Sequence, residues 1–140
     1  MGVKDSNITA ITVLRHSGIV FAFNSETWEK FKLGELVDFN DNKTGKPALR
    51  NTVYEPQEGD MPLPPIQGIK DLQGRGSLFC VCDLATKVYG SAVAKKMSLN
   101  PDDVYAEMVK GILPGIQLVP SGVWALGRAQ NNKCAYIFAG

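Results

Sequence analysis

Ser77 to Cys82 reads SLFCVC and runs directly into DLATKVYGSAVAKK, Asp83 to Lys96. An unbroken apolar run feeding a helical pattern decides the fold class. Strands covered on both faces read as continuous hydrophobic runs, and their alternation with helices marks a parallel sheet packed between helices. The same grammar recurs on either side. ITAITVL (Ile8 to Leu14) is short and β-branched, GIQLV (Gly115 to Val119) is apolar, and CAYIFA (Cys134 to Ala139) closes the chain. The reading is an α/β domain, a three-layer α/β/α arrangement with a mostly parallel sheet of four to five strands drawn from 8–14, 77–82, 115–119 and 135–139.

The helices between these runs carry their own punctuation. Asn24 or Ser25 caps a helix bearing Trp28, Phe31 and Leu33, with Glu26 and Glu29 early and Lys30 and Lys32 late. Residues 66–72 form a short helix stopped by Gly74 and Gly76. Leu84, Val88 and Ala92 stand at helical spacing along 83–96, and Asn100-Pro101 opens the next helix. A last helix runs from Val123 to about Gln130. Residues 38–65 are an irregular excursion rich in Asp, Asn, Gly and Pro, too long for a plain connector and read either as a subunit contact or lid or as a surface loop.

Composition sets the outer bounds. The chain has 140 residues, with 15 Lys and Arg against 14 Asp and Glu. One domain spanning 1–140 follows, and the near-neutral charge gives no footprint for nucleic acid. The longest apolar runs are five or six residues, Ile19–Phe23, Leu78–Cys82 and Cys134–Ala139, so no membrane span is expected. The start, MGVKDSNIT, has no apolar signal core, which makes the expected compartment cytoplasmic as written; export or a periplasmic site is the alternative if a signal lies upstream. Met1-Gly2 with Ser6 matches the N-myristoylation pattern, but the favoured reading is a plain initiator Met with a flexible start. Three cysteines and one histidine lack knuckle spacing, so neither a disulfide scaffold nor a metal site is expected. No phosphate loop, nucleophile elbow or paired-carboxylate motif is present, and no cofactor is expected.

In an open parallel sheet, function gathers where the strands end at their carboxyl termini. The residues just past the three strands are Arg15, His16 and Ser17; Cys82 and Asp83; and Pro120, Ser121 and Gly122. Cys82 ends a strand and precedes a helix, where the dipole and free backbone N–H groups favour a thiolate, with Arg15 or His16 adding to that and Asp83 opposing it. The alternative is that Cys82 is a small buried core residue. Cys80 is two residues away on the same side, its Cα ~6.5 to 7 Å from that of Cys82, at or past the limit for a disulfide. The candidate site is therefore Cys82 as the reactive group, with Arg15, His16, Asp83 and Ser121 binding around it.

Three stretches resemble a known family. GSLFCVCDLATKVYG (Gly76 to Gly90), LNPDDVYAEMVKGILPGIQLVPSGVWALGRAQNNKCAYIFAG (Leu99 to Gly140) and VLRHSGIVFAFNSETWEKFKLGEL (Val13 to Leu36) are similar to the DsrE/DsrF-like family of sulfur-relay domains, in an uncharacterised branch. The resemblance implies a parallel-sheet fold assembled as homo-oligomers, often trimers or hexamers. It implies a sulfur carrier or sulfurtransferase that holds a persulfide on Cys82 and works with a sulfur donor or acceptor protein. Where the family has a Gly-Gln-Ser type turn after its cysteine, this chain has Asp83-Leu84-Ala85, and the family's first strand and helix have no counterpart here. A non-catalytic oligomeric binding or scaffold protein is the alternative. Homo-oligomerisation is expected independently from the 38–65 excursion and the Ile19–Phe23 patch, which look hard to cover within one chain.

Overall fold

Phe79 and Val81 point from the middle strand into one core, while Cys80 between them packs against the other side of the sheet. That alternation is the consequence of a strand with period two, covered on both faces. The computed structural model describes residues 2–4 and 7–138. Its sheet has three parallel strands in the order β1 (Ile11–Leu14), β2 (Leu78–Cys82) and β3 (Ile116–Val119). Ile11 aligns with Leu78, and Phe79 aligns with Ile116.

The sheet is smaller than the four to five strands expected. The apolar run at the end of the chain is not a strand across 134–138, and Ala139 lies outside the described residues, as do Met1 and Ser6 of the N-myristoylation pattern. A strand exists by pairing, not by apolar character alone. After the last helix, Lys133 turns the backbone into the left-handed region, and the run passes alongside residues 9–13 without joining the ladder. Ile137 is consequently 86% exposed and Phe138 71%. At the other end, residues 8–10 precede β1 and only Ala10 contributes, accepting a hydrogen bond from the Leu78 N–H at 2.8 Å.

Ile19–Phe23, expected to be an uncovered patch, is the centre of the main core. Residues 16–22 form a 3-10 helix in which Ile19, Val20 and Ala22 are buried, and Phe23 follows, also buried. Helices α1 (Ser25–Phe31) and α2 (Leu33–Leu36) follow, and Trp28, Phe31 and Leu33 join the same core. The cap of α1 is Asn24, whose Oδ1 accepts from the Thr27 N–H at 2.9 Å.

The 38–65 segment closes over this core. Ala48, Asn51, Thr52 and Asp60 are buried. The Asn51 amide donates to the carbonyls of Phe21 and Phe23, each at 2.9 Å, and its oxygen accepts from the N–H groups of Val53 and Tyr54, each at 3.1 Å. Gly34 allows the segment to approach, since a Cβ there would lie 2.3 Å from the Ala48 carbonyl oxygen. Asp60 knots the far end, pairing with Arg50 and with Lys43 at 3.1 Å and accepting from the Gln57 N–H at 2.7 Å.

Past the segment, α3 (Ile69–Gly74) leads through Gly76, at φ +94°, into β2. The connection from β2 to β3 is α4 (Asp83–Met97) and α5 (Pro101–Lys110), which pack on the main core through Val93, Ala94, Val104 and Met108. The other face of the sheet is covered by α6 (Gly122–Asn131), where Ala125 meets Cys80, Val119 and Val13. On α4 the Leu84, Val88 and Ala92 stripe faces outward, and the helix buries Thr86, Gly90, Val93 and Ala94 instead.

Three outcomes are expected in urea titrations. Gly34→Ala forces a methyl into a backbone carbonyl and lowers stability by about 3 kcal/mol or more. Asn51→Ala strips donors from two buried carbonyls and costs about 2 to 4 kcal/mol. At Asp60, burial pushes the carboxyl pKa up, but the hydrogen bonds from Arg50, Gln57 and Lys43 outweigh it and hold it below its ordinary value. A depressed folded pKa stabilises above the ordinary carboxylate range, and that contribution is lost as pH falls through the folded value. The deficit of Asp60→Asn at neutral pH therefore shrinks as the titration is repeated toward about pH 3; an unchanged deficit would remove Asp60 as the acid-sensitive group.

Candidate functional site

The carboxyl ends of β1, β2 and β3 lie side by side because the strands are parallel and in register, with Leu14 opposite Val81 and Cys82 opposite Val119. Whatever follows each strand is thereby delivered to one rim. A pocket of about 290 Å³ opens there, and Arg15, His16, Cys82 and Ser121 all line it. Its remaining wall is apolar: Leu84, Ala85, Val88 and Tyr89 from α4, and Val123 from α6.

Cys82 is the N-cap of α4. Its Sγ accepts the Ala85 N–H at 3.4 Å, while its carbonyl accepts the Thr86 hydroxyl at 2.9 Å. The residue is only 6% exposed, so access to its sulfur runs through the pocket. Ser121 caps α6 in the same way, its Oγ accepting the Trp124 N–H at 3.1 Å. Two helix N-termini therefore open onto the pocket, each with a side chain of the candidate set as its cap.

Arg15 and His16 come from the turn after β1. His16 adopts φ 47°, a left-handed conformation that non-glycine residues seldom take, and this places the ring at the rim. Arg15 Nη2 lies 3.4 Å from His16 Nε2; an arginine N–H can only donate, so the ring nitrogen is the acceptor. The arginine stem is held at Gly122, where a Cβ would come within 3.1 Å of Arg15 Cβ. No carboxylate pairs with Arg15 among the described residues.

Asp83 does not line the pocket. Its carboxylate is turned to the α5 side, where it accepts from the Tyr105 hydroxyl at 2.6 Å and pairs with Lys87 at 2.8 Å. Burial pushes its pKa up, but Lys87 and Tyr105 together pull it below the usual carboxylate value. The same contact pushes the Tyr105 hydroxyl up. Asp83 thus fastens α4 to α5, and its negative charge is neutralised by Lys87 rather than presented to Cys82.

The spacing of Leu84 and Val88 carried the signal for the apolar wall, since an i, i+4 pair lies on one face; nothing in the spacing distinguished the pocket side from the core side. Val123 and Tyr89 had no sequence signal. Cys80 is core: burial pushes its thiol pKa up, and the neighbouring Cys82 adds to that. Cys134 lies away from the pocket, in a groove along β1. Among the described residues no cluster of three or more His, Cys, Asp or Glu could hold a metal ion, and no helix is long and apolar enough to cross a membrane. Compared with protein-family models, with curated proteins and with solved structures, the chain matches none of them.

The site geometry separates the two strand cysteines. In the native protein at neutral pH, Cys80 is expected to resist iodoacetamide and to be labelled only after urea is added. Peptide mapping of the label checks this; native modification of Cys80 at a rate comparable to that in urea would contradict its placement.

Proposed function

We propose that the chain is a DsrE-like sulfur carrier or sulfurtransferase that holds a persulfide on Cys82. The observation that carries this reading is that Cys82 lines a pocket, its Sγ accepts a backbone N–H, and it shares that pocket with Arg15, which has no carboxylate partner among the described residues. A thiolate is the form that attacks a sulfane sulfur. The attack forms the bond from Cys82 Sγ to the sulfane sulfur and breaks that sulfur's bond to the donor. The donor's remainder leaves with the bonding electron pair, and Cys82–S–S⁻ results. The product anion lies where the Ala85 N–H and Arg15 can accept its charge. The turn of Asp83 toward Tyr105 and Lys87 supports the same reading, because the carboxylate next to Cys82 in the chain is occupied elsewhere.

A second reading is an oligomeric binding or scaffold protein in which Cys82 is core. It is supported by the exposed apolar residues lining the pocket, Leu84 and Val88 at 60% and Val123 at 66% exposure. The Ile19–Phe23 patch no longer contributes to it, being internal. A homo-oligomer, a trimer or hexamer, is compatible with either reading, and light scattering at micromolar concentration tests it.

The deciding measurement is intact-mass spectrometry after incubation with a sulfane-sulfur donor. A gain of one sulfur atom, mapped to Cys82, lost on reduction and missing in Cys82→Ser, is the expected result. Labelling confined to Cys134, or none, would leave the scaffold reading in place.

A further inference from the structure

The wall around Cys82 bears on what kind of donor could reach it. Thiosulfate is small, doubly charged and strongly hydrated, and a wall of Leu84, Val88 and Val123 offers it nothing in exchange for its lost water. The pocket's polar groups, Arg15, His16 and Ser121, line it together with Cys82, and Leu84, Ala85, Val88 and Val123 supply an apolar wall. Its volume of about 290 Å³ stands at the small end of ligand sites, enough for one ring or a short branched chain. Such a cavity is complementary to a molecule with an apolar body and a single negative end.

We infer that the donor to Cys82 is a small organic sulfane-sulfur monoanion, with an aromatic or aliphatic body seated against Leu84, Val88 and Val123 and its anionic end at Arg15. This rests on the persulfide reading of Cys82. For a thiosulfonate, R–SO₂–S⁻, the Cys82 thiolate bonds to the terminal sulfur, the S–S bond breaks, and the sulfinate R–SO₂⁻ departs with the electron pair. Two negative charges enter and two leave, and no external oxidant or reductant is needed. Arg15 meets charge on the incoming donor and on the departing sulfinate, and the apolar wall selects R.

The test compares benzenethiosulfonate, methanethiosulfonate and thiosulfate as sodium salts. Sulfur loading of Cys82 is followed by intact mass, and sulfinate or sulfite release is followed in parallel. Each rate is divided by that donor's rate with free cysteine, which cancels intrinsic reactivity. The normalised rate with benzenethiosulfonate is expected to exceed the other two by about tenfold or more, the scale on which hydrophobic pockets discriminate. Leu84→Ser and Val88→Ser, at exposed positions whose exchange leaves the core intact, should bring that ratio down toward unity. Arg15→Gln should slow all three donors. If Cys82 is loaded but the normalised rates are equal, the donor class is wrong and the persulfide reading stands. If no donor loads Cys82, both fall.

Discussion

Four consecutive backbone carbonyls in the middle of the core impose the main constraint on this chain. Residues 20–23 leave a 3-10 helix for extended backbone, with Val20, Ala22 and Phe23 buried and Phe21 partly so, and their carbonyls face partners other than a regular ladder. Three residues from three parts of the chain meet them. The Trp28 indole N–H donates to the Val20 carbonyl at 2.8 Å, and the Leu113 N–H donates to that of Ala22 at 2.8 Å. Asn51 takes the remaining two. In a low-dielectric interior each unmet carbonyl would cost about 1 to 3 kcal/mol. The arrangement of α1, of the 38–65 segment and of the approach to β3 is set by where these donors must stand.

This constraint also positions the site. The 3-10 helix begins at His16, directly after Arg15, and its buried turn anchors both residues from behind. The pocket wall facing them is built by α4 and α6, whose N-termini are capped by Cys82 and Ser121. Rigid elements thus hold the sulfur, the cation and the apolar wall, while no ion pair among the described residues locks Arg15 in place. The strongest electrostatic contact nearby, the Asp83, Lys87 and Tyr105 cluster, lies on the α5 side and tightens the joint between α4 and α5.

The rim of Arg15, His16, Cys82 and Ser121 was legible in the sequence because parallel strands bring successive carboxyl ends to one edge, and that geometry needs only the strand ends to be located. The helix starts at Asn24 and Asn100 were legible because their caps are local. The failures share a cause. Ile19–Phe23 and Cys134–Phe138 are equally apolar, yet one is interior and the other lies along the surface. Local pattern says that a segment is greasy, not what covers it. The cover over Ile19–Phe23 is Asn51 and Ala48 in a segment that reads as a loop, and their role emerges only through hydrogen bonds across some thirty residues of sequence. Asp83 likewise turned away from its chain neighbour toward Tyr105, a partner on another helix.

The two strand pairings differ greatly in the length of chain they enclose. β2 and β3 are joined through α4 and α5 alone, whereas β1 reaches β2 only after the 3-10 helix, α1, α2, the 38–65 segment and α3. Closing the longer loop carries the larger entropic penalty, so the β2-α4-α5-β3 unit has the advantage in assembling first. Cys82 and the hydrocarbon wall from α4 belong to that early unit, but Arg15 and His16 belong to the late-arriving strand. In that order of assembly the thiol is in place before its cation, and a partly folded chain would present a cysteine beside exposed leucine and valine. Mispairing between nascent chains is the hazard that this order of events creates, and docking of β1 ends it.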